Sequence, residues 1–290
     1  MSVDRLQEKI RKLKNPTVIE LDMRREQIPP AFFADDATLS DALERYSKAL
    51  LDGLKEQVCA VRFSFNRAAV LGAEGMIVLK ELLRYAKKLG YYVILDAPAS
   101  FDAADAEQAA ESLFGGDWKF DALSICSYIG SDGIRPYAQL ASQANIALFV
   151  LVRSDNRSAG EIQDLLTGSR LVYQAMADVV HRFAQEGTGR SGYSQVAAIC
   201  AANAPDALKR LREKYKYQFL LVQGYDAPNA NAKNCANAFD KLGHGAAVCA
   251  GASVTAAWME SPWTGEEYME AALEAVQRMK KNLTRYVTIL

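Results

Sequence analysis

Eight times along the chain a short apolar run rich in β-formers is followed by a longer segment of helical period. That alternation is the sequence sign of repeated strand–helix units around a parallel sheet. The expected strands cover residues 17–22, 58–64, 92–96, 122–126, 147–152, 195–200, 218–223 and 246–250. Between them, stretches such as 69–89 set Val70, Ile77, Leu79, Leu82, Leu83 and Ala86 at spacings read as one helical face. Eight pairs in 290 residues suit a closed (β/α)8 TIM barrel, for which roughly 250 residues is typical. The fold class expected is therefore α/β, one barrel domain spanning 1–290, with a six-stranded open sheet plus an appendage as the alternative. A dinucleotide-binding sheet lacks its main support, since Ile19-Glu20-Leu21-Asp22-Met23 ends the first strand where GxGxxG would stand.

Half of the residues are hydrophobic and 24% are charged, so a sizeable core can form. The 34 Lys and Arg nearly balance the 35 Asp and Glu, which leaves no electrostatic footprint for nucleic acid or an anionic membrane. No apolar run reaches the ~18–20 residues that span a bilayer, and the charged start MSVDRLQEKIRKLK is unlike a signal peptide. The expected setting is cytoplasmic. The five cysteines contain no CxxC pair, and Cys59, Cys126, Cys200, Cys235 and Cys249 read as buried, reduced thiols.

In a barrel of this kind the working groups occupy loops at the C-terminal strand ends. That rule nominates Asp22, Arg62, Ser64, Asp96, Ser154, Asp155, Gln223, Gly224, Tyr225 and Ala252 as pocket residues. Asp22 and Asp96 each end an apolar run, where an unpaired carboxylate is costly. Arg62, on the second strand, is the expected partner of both; capping of a following helix is the alternative for either Asp. His181 reads as a helix residue and His244 lies before the eighth strand, at the opposite end. No GxSxG elbow, HExxH helix or acidic metal cluster is present, so neither metal nor cofactor is expected. The irregular 26–39 segment precedes a helix, and the Gly-rich stretch 186–193 reads as a mobile loop.

Several stretches carry a family likeness: Asp4-Arg5-Leu6; Val61-Arg62 with Gly72 and Gly75; and Tyr128 through Gly133 with Pro136. It continues in Phe149 to Val152 with Asn156, Ser158, Gly160 and Gln163 to Leu165, and in Phe219 to Val222 with Gly224-Tyr225. On these residues the chain resembles the orotidine 5'-phosphate decarboxylase family, bacterial type 2 branch. The resemblance implies a TIM barrel, a homodimer with sites near the subunit interface, and the conversion of orotidine 5'-monophosphate (OMP) to UMP and carbon dioxide in de novo pyrimidine biosynthesis.

The resemblance also implies losses at the site. The family's DxKRGD-like segment corresponds to Asp96-Ala97-Pro98-Ala99-Ser100-Phe101. It retains Asp96 but has Pro98 at the proton-donating lysine and Phe101 at the second aspartate. Asp102 comes one residue late. Ala252 stands at the phosphate-binding arginine of the NSSRG-like segment, and Asp226 adds a negative charge to the loop after the seventh strand. Arg62 stands at the strand-two lysine. The function expected is a decarboxylase-like protein inactive or very weak in that reaction, with a nucleotide-like or altered small-molecule ligand, or a heteromeric partner of an intact decarboxylase. The alternatives are an active decarboxylase with atypical residues and an enzyme on a different, non-phosphorylated substrate.

Overall fold

The computed structural model describes every residue except Asp22, Met23 and Glu186. Eight parallel strands close into a barrel: β1 (Thr17–Glu20), β2 (Ala60–Ser64), β3 (Tyr92–Asp96), β4 (Ala122–Ile125), β5 (Ala147–Arg153), β6 (Val196–Ala201), β7 (Leu220–Gln223) and β8 (Ala246–Ala250). Neighbours around the barrel follow chain order, and β8 pairs with β1 to complete it. All eight expected strands form, with ends within two residues of those read from the sequence. Each strand is covered on both sides, which is why β6 and β8 are buried at every position. The open-sheet alternative is excluded by the β8–β1 pairing.

Helices between the strands form the outer layer, and their starts follow local chemistry. Thr38 caps Leu39–Gly53 by accepting from the Asp41 amide, while Asp41 bonds back to Thr38. Ser64 and Asp102 cap Phe65–Val70 and Ala103–Gly115 by accepting from the Arg67 and Asp105 amides.

The expected single helix over 69–89 is instead two, Phe65–Val70 and Gly72–Lys88. Gly72 adopts φ of +68°, which breaks the helix between them. The buried face is then Val78, Leu79, Leu82, Leu83 and Ala86, whereas Val70 and Ile77 lie in solvent. A helix ahead of the first strand, Ser2–Leu13, was not anticipated. Its Val3, Leu6 and Ile10 are fully buried, and their i, i+3, i+7 spacing was the available signal. Ser2 donates to the Asp121 carbonyl at 2.7 Å, and Gln7 accepts from the Gly245 amide at 2.9 Å, so this helix is tied to the N-terminal ends of the strands.

The segment 26–39 is irregular as expected, built from two short 3-10 turns with Asp35 and Asp36 in the left-handed region. The 186–193 stretch differs from expectation. Thr188 bridges Ser194, and the Ser191 amide and hydroxyl both donate to Asp4, at 2.8 and 2.6 Å. Those bonds hold the loop against the first helix; Glu186 lies outside the described residues. Four cysteines are buried and reduced, but Cys126 is exposed because it falls just past the end of β4.

Candidate functional site

Parallel register sets Glu20 of β1 directly beside Arg62 of β2, so the two side chains share a face. Arg62 Nη1 donates to Glu20 Oε1 at 2.6 Å and its Nε donates to Asp96 Oδ1, also at 2.6 Å. The planar guanidinium thus serves carboxylates on the strands either side of its own. Ser124 of β4 donates to the same Asp96 oxygen. Arg62 is only 9% exposed. Burial alone would lower its pKa, but the Asp96 and Glu20 carboxylates outweigh it and hold the guanidinium well above its usual value. It stays charged and has no proton to give at neutral pH.

Across the mouth, a register shift between β5 and β6 after Leu151 bends the end of β5, where Ser154 and Asp155 follow. Gln223 at the end of β7 donates its amide to Asp155 Oδ1 at 3.1 Å. Gly224 is required beside it: at φ +75°, a Cβ would lie 2.2 Å from Asp155 Oδ2. Two residues further, Asp226 Oδ2 accepts from the backbone amides of Gly251 and Ser253, at 2.8 and 3.2 Å. Those amides open the short helix Ala252–Thr255. The carboxylate therefore stands where an external anion would meet them.

Together these groups line an open polar cleft. A cavity of about 930 Å3 lies among Arg24, Asp155, Arg157, Tyr225, Asp226 and Ala252. It shares Glu20, Asp155 and Gly224 with a deeper part of about 210 Å3 over Arg62, Ser64, Asp96 and Gln223. A third part, about 180 Å3, reaches Asn66, Ser124 and Cys126. Pro98 is half-buried, and Phe101, at 87% exposure, leaves the cleft unfilled.

The structure brings Arg62, Ser64, Asp96, Asp155, Gln223, Gly224, Tyr225 and Ala252 to this cleft. Ser154 is turned aside, its hydroxyl bonded to Asn156 and Gln163. Asp22 lies outside the described residues. Arg62 does partner Asp96, as expected, rather than leaving it to cap a helix; its second carboxylate is Glu20, which sequence reasoning had not nominated. The strand-end rule that nominated Asp22 passed over Glu20, two positions earlier in the same expected strand, where strand alternation was the available signal. Arg24, Arg157 and Asn203 were also missed, because loop residues carry no periodicity.

Asp102 is exposed and occupied as a cap, accepting from the Asp105 amide at 2.9 Å. Lys119 pairs with Asp117 ahead of β4, away from the mouth. His181 packs against Tyr215 with ring centroids 4.7 Å apart and the planes tilted, and His244 faces the Leu290 carbonyl. Among the described residues, no group of three or more His, Cys, Asp or Glu is arranged to hold a metal. No described helix is long and apolar enough to cross a membrane.

Two curated relatives match the chain almost end to end. Orotidine 5'-phosphate decarboxylase of Clostridium novyi (strain NT) is 26% identical over 284 residues, 98% of each chain. That of Clostridium acetobutylicum is 26% identical over 286 residues, covering 98% of this chain and 99% of the relative. Along almost its whole length the chain is similar to orotidine 5'-phosphate decarboxylases.

Solved decarboxylases share the barrel. Leishmania donovani OMP decarboxylase superposes with a TM-score of 0.73 at 22% identity, covering 97% of this chain and 99% of that one. Plasmodium berghei orotidine 5'-monophosphate decarboxylase gives 0.74 at 15% identity, covering 97% and 98%. At these identities the structures establish the fold alone. No family model matches the chain.

Proposed function

We propose that this family member binds a small molecule at the barrel mouth and does not decarboxylate OMP at an ordinary enzymatic rate. The observation that carries the reading is the cation beside Asp96. It is the Arg62 guanidinium, shared with Glu20 and held protonated, while Pro98 occupies the position matching the family's lysine. Proline offers neither a side-chain proton nor a backbone donor. A positioned proton donor accounts for ~10²–10⁴-fold in rate. Loss of phosphate contacts lowers turnover further, since remote binding energy is used at the reacting carbon.

The open polar cleft at the strand ends favours binding over a purely scaffolding role. By the same family likeness, the chain pairs with a second copy or with an intact decarboxylase.

The test is to incubate the purified protein with OMP and follow UMP formation, with an authentic decarboxylase alongside. Turnover within tenfold of that control would reject the proposal in favour of an active enzyme with atypical residues. Melting with and without 6-azaUMP provides the binding arm, since an intact nucleotide site raises the transition by linkage. No shift is expected.

A further inference from the structure

Backbone amides, guanidinia and carboxylates divide the mouth into three kinds of subsite. The amides of Gly251 and Ser253 are already engaged by Asp226. An acidic group on a ligand must therefore find another cation. Arg153 is engaged as well, by Asp164 at 2.8 Å and by the Ser154 carbonyl.

Arg24 and Arg157 remain. They follow β1 and β5, which face each other across the barrel, yet both line the cavity of about 930 Å3. Neither guanidinium pairs with a carboxylate among the described residues, and both are exposed. A guanidinium presents paired donors that match a carboxylate edge to edge.

Deeper in, acceptors exceed donors. Asp96 is served on Oδ1 by Arg62 and Ser124, and its Oδ2 has no bond among the described residues. Asp155 receives the Gln223 amide on Oδ1 and has no cationic partner among the described residues. Such a floor calls for hydroxyl donors on the ligand. A dianionic phosphate near Asp226, Asp155 and Glu20 would meet more repulsion than a monoanion does.

We infer that the cleft takes a hydroxylated carboxylic acid of the sugar-acid class, its carboxylate held by Arg24 and Arg157 and its hydroxyls by Asp155 and Asp96. The inference rests on the proposed function above and names the ligand chemistry of that same site. It involves no bond-making step.

Titration calorimetry with D-glucuronate, D-gluconate, D-glucose and glucose 6-phosphate tests it on the full chain. At least one of the two acids should bind roughly tenfold or more tighter than D-glucose and than the phosphate. Arg24→Ala and Arg157→Ala should each weaken the acid by roughly tenfold to a hundredfold. Because both side chains are exposed and have no carboxylate partner among the described residues, neither variant should shift the melting temperature of the free protein, so a misfolding explanation is checked directly.

Glucose binding as tightly as the acids, glucose 6-phosphate binding more tightly, acid affinity unchanged in both variants, or no binding of either acid would each overturn the inference. OMP turnover would instead strike the reading beneath it. Failure of the acids with OMP still unconverted would remove only the ligand assignment.

Discussion

The Nε of Arg62 donates to Oδ1 of Asp96 at 2.6 Å, joining the mouth ends of β2 and β3 while the same guanidinium holds Glu20 of β1. Arg62 is nearly buried, and the two carboxylates are each about a quarter exposed, at 28% and 26%. Removing the cation takes away the guanidinium that both carboxylates share. Arg62→Met is expected to cost about 2–3 kcal/mol in urea unfolding, below the full penalty of a deeply buried pair. Arg62→Lys should recover part of it, since a compact ammonium cannot fork between two strands.

Asp226 and the amides of Gly251 and Ser253 form an internal anion contact. Asp226→Ala frees those amides at the cavity wall. Inorganic phosphate should then raise the melting temperature of the variant but not of the parent protein, with chloride at matched ionic strength as the control. Equal responses of the two proteins would remove Asp226 as the determinant.

Arg212 is buried without a carboxylate bond among the described residues. Its guanidinium donates to the carbonyls of Ala238, Lys216, Gln218 and Gly245, at 2.7, 3.3, 3.0 and 2.7 Å, and lies over the Tyr193 ring. Burial lowers its pKa. Arg212→Met strands these carbonyls in the dry interior, and a loss of about 3 kcal/mol or more in denaturant unfolding is expected. A change below about 0.5 kcal/mol, the range of ordinary surface substitutions, would contradict the assigned role.

Asp4 supplies a pH signature. Burial alone would raise its pKa, but bonds from the N-terminal ammonium and Ser191 bring it down to about 2. A carboxylate whose folded pKa is depressed stabilises the fold above its unfolded value, near 3.8. That contribution is lost as pH falls from about 4 through about 2. Melting temperatures followed over this window should drop less steeply for Asp4→Asn than for the parent protein, and parallel curves would refute the assignment.

The order of eight strand–helix units, the barrel they close into and the rim positions of Arg62, Asp96 and Gln223 were legible in the chain, because burial on a strand or helix leaves a period that neighbouring residues share. Even Ser2–Leu13 carried that signal in Val3, Leu6 and Ile10. Whether Asp96 met a cation or a helix start, that Glu20 was the second carboxylate on Arg62, that Gly72 split a helix, and that Asp226 settled on the amides of a loop 25 residues away were decided only when the barrel closed. Those outcomes depend on register and tilt between strands distant in sequence, and on loop torsions that no periodic pattern encodes.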